Sequence, residues 1–293
     1  MKDKDLLQRF LFEKSPVRGE VVHLNQSIET ILGQHEYPTF IQKYLSQALV
    51  AATLLVATIK FHGRLTVQFR GKGKLKMLLA QCNQNFHLRG LAEWDPNLTE
   101  AELQGALKEG VLAIMMDPDI EGGRRYQGIV EWKGDSLIAS IENYFKQSEQ
   151  LPTRIWMAID ENQAAGLLLQ VMPKEKPEIY DHDWQHLTIL ADTITEPELL
   201  NLDNETILKR LFASEDIRVF DAEPVTFRCH CSMERSENAI SLLSKEDVEE
   251  ELKNHKNITV TCEFCNREYV FDRVDIAKIF QKGNKSTGST ELQ

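Results

Sequence analysis

Cys229-His230-Cys231 and Cys262-Glu263-Phe264-Cys265, separated by thirty residues, are the stretches on which the reading of this chain turns. Two close pairs of soft ligands supply two edges of a tetrahedron, and the intervening chain can fold back to join them. The pattern predicts a four-thiolate zinc site built from Cys229, Cys231, Cys262 and Cys265. A lobe of about fifty residues has too small a core to be secure alone. A structural zinc contributes roughly 10 to 16 kcal/mol of apparent folding free energy, so metal binding and folding are expected to be one event there. One residue between Cys229 and Cys231 is tighter than the two to four of most structural ribbons. Two residues of extended chain reach at most roughly 7 Å, and modest bending brings the two α-carbons into the disulfide range of about 4.4 to 6.8 Å. Each pair can therefore close on itself, and a disulfide across so short a loop is easily reduced. Spacing by itself leaves all three connectivities of four cysteines open.

Working outward, Ser244 and Asp247 cap a helix that presents Val248 and Leu252 on one side, and Ile258–Thr261 with Tyr269–Phe271 flank the second pair as a small hairpin. From Lys282 to Gln293 the chain has no apolar cluster and reads as a frayed tail. Upstream, Glu178 to Arg228 holds twelve acids against four bases, yet apolar residues recur at helical spacing. Trp184, Leu187, Leu190, Ala191 and Ile194 form one stripe, and Ile207, Leu208, Leu211 and Phe212 form another. Thr195 and Glu198 have capping-box spacing. Isolated helices of such length are marginal in water, so this acidic segment needs a surface to lean on.

Pro173-Lys174-Glu175-Lys176-Pro177 marks a boundary, since two prolines and three charges in five residues continue neither strand nor helix. Before it, strands are predicted at Arg18–Leu24, Arg64–Arg70, Leu75–Ala80, Phe86–Glu93, Val111–Met116, Gln127–Trp132, Arg154–Ile159 and Gly166–Met172. Helices are predicted at Ser27–Leu32, Pro38–Thr58, Glu100–Lys108 and Ser136–Gln147. Strands in runs with few intervening helices indicate an α+β domain of mixed sheets rather than a doubly wound parallel sheet. The expected organisation is a core domain over residues 1–177, an acidic helical linker over 178–228, a zinc lobe over 229–281 and a tail over 282–293.

The net charge of −11 argues against a general nucleic-acid or anionic-membrane binder, because both need a basic surface. Met1-Lys2-Asp3-Lys4-Asp5 has no apolar signal-peptide core. The most apolar run, Leu45 to Ile59, is shorter than the about 20 residues a bilayer requires and reads as a buried helix. The expectation is a soluble cytosolic protein, where close cysteine pairs more often hold metal than disulfides.

Zinc keeps all four sulfurs as thiolates, the form that oxidants attack, and Arg228, Arg235 and Arg267 lie close in sequence to offset the site's negative charge. If oxidation ejects the metal and the lobe unfolds, the acidic helices leading into Cys229 are expected to loosen and expose apolar faces. A thiol-disulfide oxidoreductase using Cys262 and Cys265 is the alternative from the enzyme class, but four thiolates on one zinc leave no free attacking thiol. A zinc-stabilised adaptor, binding a fixed partner only while loaded, is a third reading.

Cys229-His230-Cys231-Ser232, then Glu234-Arg235, then Cys262-Glu263-Phe264-Cys265 with Tyr269, Phe271 and Asp272, closely resembles the redox-regulated thirty-three-kilodalton chaperonin family, the oxidation-activated heat-shock holdases of bacteria. The likeness extends over the chain through Gln147-Ser148-Glu149-Gln150-Leu151-Pro152-Thr153, Gly166-Leu167-Leu168-Leu169-Gln170, Leu211-Phe212 and Arg218-Val219-Phe220. Met233 stands where the family pattern has arginine, which alters charge near the zinc and leaves every ligand in place. The resemblance implies an ATP-independent holdase with no enzymatic activity, inactive while reduced and holding one zinc ion, that binds unfolding client proteins during oxidative stress. It further implies disulfides Cys229 with Cys231 and Cys262 with Cys265 on oxidation, zinc release, unfolding of a metastable linker and a homodimer.

Other features carry plainer expectations. Cys82 lies in a strand-like stretch and reads as a small core residue. His182 and His186 have the spacing of a metal face but no third soft ligand nearby, and His230 is expected to be exposed rather than coordinating. Gly71-Lys72-Gly73-Lys74 lacks the ending of a phosphate loop and reads as a hairpin turn, and Gly122 to Tyr126 reads as a basic turn. The run from Gln147 to Thr153 is expected to end a helix and fix the turn into Arg154.

Overall fold

The computed structural model describes residues 4–120, 122–132, 136–173 and 181–286. It divides into two compact units, Met1–Arg228 and Cys229–Gln293.

The first unit is built on a helix, Thr39–Ala57, that runs between two six-stranded sheets. Ile41, Leu45, Leu49, Leu54 and Leu55 are buried on different sides of it because a sheet lies on each flank. Close approach is permitted by one glycine in each sheet. A Cβ on Gly90 would sit 2.9 Å from Leu49, and one on Gly166 would sit 2.5 Å from Val50. At nineteen residues this helix is longer than the apolar run suggests, and by length and composition alone it could cross a bilayer. Its burial makes it a core element instead, as expected.

The first sheet is antiparallel throughout, with Ile217–Val219, Leu6–Phe12, Val17–Leu24, Gln163–Val171 and Thr153–Asp160 in spatial order, and Glu223–Pro224 also pairing with Leu6–Phe12. The second runs Thr226–Phe227, His87–Trp94, Leu75–Asn83, Gly63–Arg70, Val111–Pro118, Tyr126–Val130. It is the mixed sheet that was expected, and only through the parallel pairing of Thr226–Phe227 with His87 and Leu88. The predicted strands and helices fall on observed ones. Leu6–Phe12 is a strand that the sequence reading omits.

Side-chain alternation explains why Gln163–Val171 is buried nearly end to end. Ala164 and Leu168 face the central helix and second sheet, whereas Ala165, Leu167, Leu169 and Val171 face the other way. That other face is covered by the acidic segment, through helices Asp181–Ala191, Glu196–Asn201 and Asn204–Leu211. Expected to be helical as far as Arg228, the segment is helical only to Leu211. Its remainder is extended and adds short strands to both sheets. The boundary expected at Pro173–Pro177 falls largely on residues 174–180, outside those described.

The predicted helix after Ser136 is α-helical over Leu137–Tyr144 and then widens into a π turn, Phe145–Glu149, ended by Gln150 at φ 56°. This is the helix stop read from Gln147 to Thr153. The turn also aims the Glu149 carboxylate at two hydroxyl donors, Tyr126 Oη at 2.6 Å and Tyr144 Oη at 2.5 Å.

The second unit has helices Met233–Ser241, Lys245–Asn254 and Arg273–Ser286 and a hairpin, Ile258–Thr261 with Glu268–Phe271. Ser244 Oγ accepts from Asp247 N at 3.1 Å, and Val248 and Leu252 are buried, as their spacing predicts. The last helix, Arg273–Ser286, extends into residues 282–286, where a frayed tail was expected. Residues 287–293 lie outside those described.

Candidate metal centre and the acidic segment before it

Ser232 caps the helix Met233–Ser241, its Oγ accepting from Arg235 N, and so fixes the end of the Cys229-His230-Cys231 run. The second pair sits on the hairpin turn. Cys262 N donates to Arg267 O at 2.9 Å, Asn266 N donates to Cys262 O at 2.8 Å, and Asn266 takes the left-handed conformation that asparagine tolerates. The N–H groups of Phe264 and Arg267 point at the sulfurs of Cys262 and Cys265.

These two local structures bring all four sulfurs within 4.8 Å of one another. Cys229 Sγ lies 3.6 Å from Cys262 Sγ, and Cys231 Sγ lies 3.4 Å from Cys265 Sγ. A tetrahedron with metal–sulfur distances of about 2.3 Å has sulfur–sulfur edges of about 3.8 Å, so the donor set fits a zinc-sized ion. All four are free thiols, and both of these separations run between the motifs. A tetrahedron makes all six edges equal, so these separations do not choose a disulfide pairing.

The electrostatics of the sulfurs point the same way. Burial raises the Cys231 thiol, but the hydroxyl of Tyr269, 3.2 Å from its sulfur, and the neighbouring thiols outweigh that and bring it down to about 7. Burial and the same crowding push Cys262 up and Cys265 up to about 12. Four adjacent sulfurs cannot all ionise unless a cation removes their repulsion. The Arg267 guanidinium is raised, first by its bond to the Tyr269 oxygen and then by the charges of Cys231 and Cys265.

The remaining candidates separate from this site. His186 Nε2 is 3.0 Å from Glu215 Oε1, while His182 projects into solvent beside Asp183. Among the described residues, the four cysteines alone form a metal-ligating group, and His230 is not part of it. Cys82 is fully buried in the core, and desolvation pushes its thiol up to about 12, which makes it inert. Gly71 to Lys74 is the turn between Gly63–Arg70 and Leu75–Asn83, and Gly122 to Arg125 lies in the turn before Tyr126–Val130.

The acidic segment lies on the first sheet as its two stripes predict. Leu187, Ala191, Ile207, Leu208, Leu211 and Phe212 are buried, with Trp184, Leu190 and Ile194 packed at the margin. Thr195 and Glu198 form the predicted capping box. Phe212 meets Phe12 edge-on at 5.0 Å between centroids, and Phe10 at 5.8 Å. The sequence reading missed these partners with the Leu6–Phe12 strand, although phenylalanines two apart are the signal of one strand face. It also missed His23, a buried polar group under the same helices.

Acidic helices cover one face of the first sheet, and a four-thiol lobe follows them in the chain. The Hsp33 protein family pattern matches residues 5–272, and the chain belongs to that family. It is 43% identical over 99% of its length to the 33 kDa chaperonin of Pseudomonas savastanoi pv. phaseolicola, covering 98% of that protein. It is likewise 43% identical to the 33 kDa chaperonin of Azotobacter vinelandii, over 99% of each chain. The crystal structure of the 33 kDa chaperonin from Thermotoga maritima has the same fold, with a TM-score of 0.81 over 96% of this chain and 99% of that one at 20% identity.

Proposed function

We propose that this chaperone is a cytoplasmic, ATP-independent holdase switched on by oxidation of its four-cysteine site. The observation that carries the proposal is the pairing of a metal-fitting thiol cluster with an apolar sheet face roofed by marginal acidic helices. Cys229, Cys231, Cys262 and Cys265 would hold one zinc ion in the reduced state. When bound, the ion keeps the sulfurs as thiolates and ties the hairpin to the Cys229–Cys231 run.

Each cysteine pair gives up two electrons to peroxide or hypochlorous acid, which is reduced to water or chloride and water, and one sulfur–sulfur bond forms. We place these bonds at Cys229 with Cys231 and Cys262 with Cys265, the pairing that the resemblance in the sequence implies. Sulfurs used in disulfides no longer serve as ligands, so zinc is released and the lobe loses its fold. The chain runs from Phe227 through Arg228 straight into Cys229, so the anchoring strand Thr226–Phe227 and the helices before it loosen next. Phe10, Phe12, Val21, Leu167 and Leu169 then face solvent, as do the apolar sides of the helices, and both hold unfolding client chains. No bond in the client is made or broken. Two opened chains share the same exposed surface, which favours a homodimer.

The test compares zinc-loaded reduced protein with the same protein after peroxide and mild heat, following released zinc with a colorimetric chelator and light scattering of a chemically unfolded client. Suppression of scattering only after zinc release is expected. Equal suppression by both samples would remove the switch, and turnover of a disulfide substrate would favour an oxidoreductase.

A further inference from the structure

The interface between the acidic helices and the first sheet is apolar almost throughout, and apolar contact is non-directional. Such an interface resists separation but does not by itself fix register. One polar group breaks the pattern. His23, in the strand Val17–Leu24, lies on the same face as Val17 and Val21 and is 5% exposed. Its Nε2 is 2.7 Å from the carbonyl oxygen of Leu199, so it carries a hydrogen and donates. Its Nδ1 is 2.9 Å from the Oδ1 position of the fully buried Asn204; with Nε2 donating, a neutral ring accepts at Nδ1, so this bond is made with the Asn204 amide turned to present its NH2 group.

The position of these partners matters. Leu199 belongs to the last turn of Glu196–Asn201, whose final carbonyls the helix cannot satisfy itself, and Asn204 opens the next helix after its cap Asp203. The imidazole therefore enters the corner between two helices and bonds to both. Two further side-chain links from the same sheet to the acidic segment, Arg154 and Trp156 to Asp192, lie at the rim with the Asp192 side chain about half exposed. Water competes for those and not for the His23 pair.

We infer that His23 is the latch of the acidic segment: a positioning residue whose two buried hydrogen bonds fix where the helices dock and make their release all-or-none. The inference rests on the proposed function for its consequence, since the latch sets how readily the client-binding face opens. While docked, the helix corner needs the ring, because removing the ring alone leaves a buried carbonyl and a buried amide without their partner. Once the helices lift, water replaces both bonds, so the latch opposes the first displacement and not full opening.

The test uses the full-length, zinc-loaded, reduced protein and hydrogen exchange of backbone amides in 187–211. His23→Phe keeps the ring volume and removes both bonds. It should raise exchange in the two helices flanking the corner by roughly tenfold or more. His23→Gln retains one donor and one acceptor and should restore most of the protection. Asn204→Leu cuts one bond from the helix side and should give a smaller acceleration, and it carries the test should His23→Phe fail to fold. Protection in His23→Phe equal to the parent, or loss in His23→Gln as large as in His23→Phe, would reduce His23 to a space-filling residue and overturn the inference. Light scattering of a client is read separately, with the His23→Phe protein before and after peroxide and mild heat. Faster exchange in the reduced protein, with no holding activity even after zinc release, supports the latch and counts against the proposed function.

Discussion

Among the described residues, forty-two buried side chains form the cluster built on the central helix of the first unit, against seven in the four-cysteine lobe. The first can fold on apolar burial, at about 1.5 to 3 kcal/mol for each large side chain removed from water. The second has Ile240, Val248, Leu252, Tyr269, Phe271, Ile276 and Ile279 as its buried cluster among the described residues, and under the proposed function it leans on its sulfurs. Between these extremes lies the outer face of the first sheet, where sixteen buried residues include those of three short acidic helices. Under the proposed function the chain has one secure region, one metal-dependent region and one marginal layer, and it can lose the last two and keep the first.

The largest expected effect breaks the comparison at its weak end. Stripping zinc from the reduced protein should remove roughly 10 to 16 kcal/mol of apparent folding free energy from the lobe alone. Hydrogen exchange should then show 233–281 unprotected while Thr39–Ala57 stays protected. A lobe that keeps its protection without zinc would erase the distinction between the two units.

Truncating Phe212 to alanine should come next, at about 3 to 5 kcal/mol for a buried phenylalanine, because its ring meets both Phe10 and Phe12. The loss should fall on the docked helices, read as raised exchange over 204–212 with little change in the melting of the sheets. A drop in sheet stability as large as the helix loss would mean that the acidic layer and the core fold as one.

Glu20 sharpens the account of the secure unit. Burial lifts its carboxyl from 4.5 to about 8, with Arg18 and then Arg9 pulling the other way. The folded state therefore keeps a proton that the unfolded chain has lost. Stability from this group is fully present below pH 4.5, falls as pH rises, and levels off above about 8. At about 1.4 kcal/mol per pH unit this amounts to a few kcal/mol. Chemical denaturation of Glu20→Gln and parent should agree near pH 5 and diverge toward pH 8.5, with the glutamine form more stable. Parallel profiles would show that Glu20 is ionised in the fold. The smallest effect belongs to the cap of the acidic layer, where Thr195→Ala should cost about 1 kcal/mol, seen as modestly faster exchange in Glu196–Asn201.

Much of this organisation is legible in the sequence because it rests on local chemistry. The CxC and CxxC spacing, the Ser244 cap, the Thr195 and Glu198 capping box and the two apolar stripes each predict a structure that forms within a few residues. What stayed hidden depends on distant partners. Ile217–Val219 and Thr226–Phe227 are strands only because Leu6–Phe12 and His87–Trp94 offer edges to them, and nothing in their own residues says so. The π turn at Phe145–Glu149 continues a helical pattern, and its widening shows only where Glu149 reaches Tyr126. His23 in an otherwise apolar strand reads as an oddity until Leu199 and Asn204 are placed beside it.

The central claim is that losing the four-sulfur site frees the acidic helices while the sheets stay folded. Hydrogen exchange of the whole chain, taken at intervals after peroxide and mild heat with released zinc measured on the same samples, tests it most directly. The account predicts that protection falls first in the lobe and then over 187–212, in step with zinc release, while the central helix and the sheet strands from Leu6 to Val171 keep theirs. Zinc release with 187–212 still protected, or loss of protection there before any zinc is released, would contradict it.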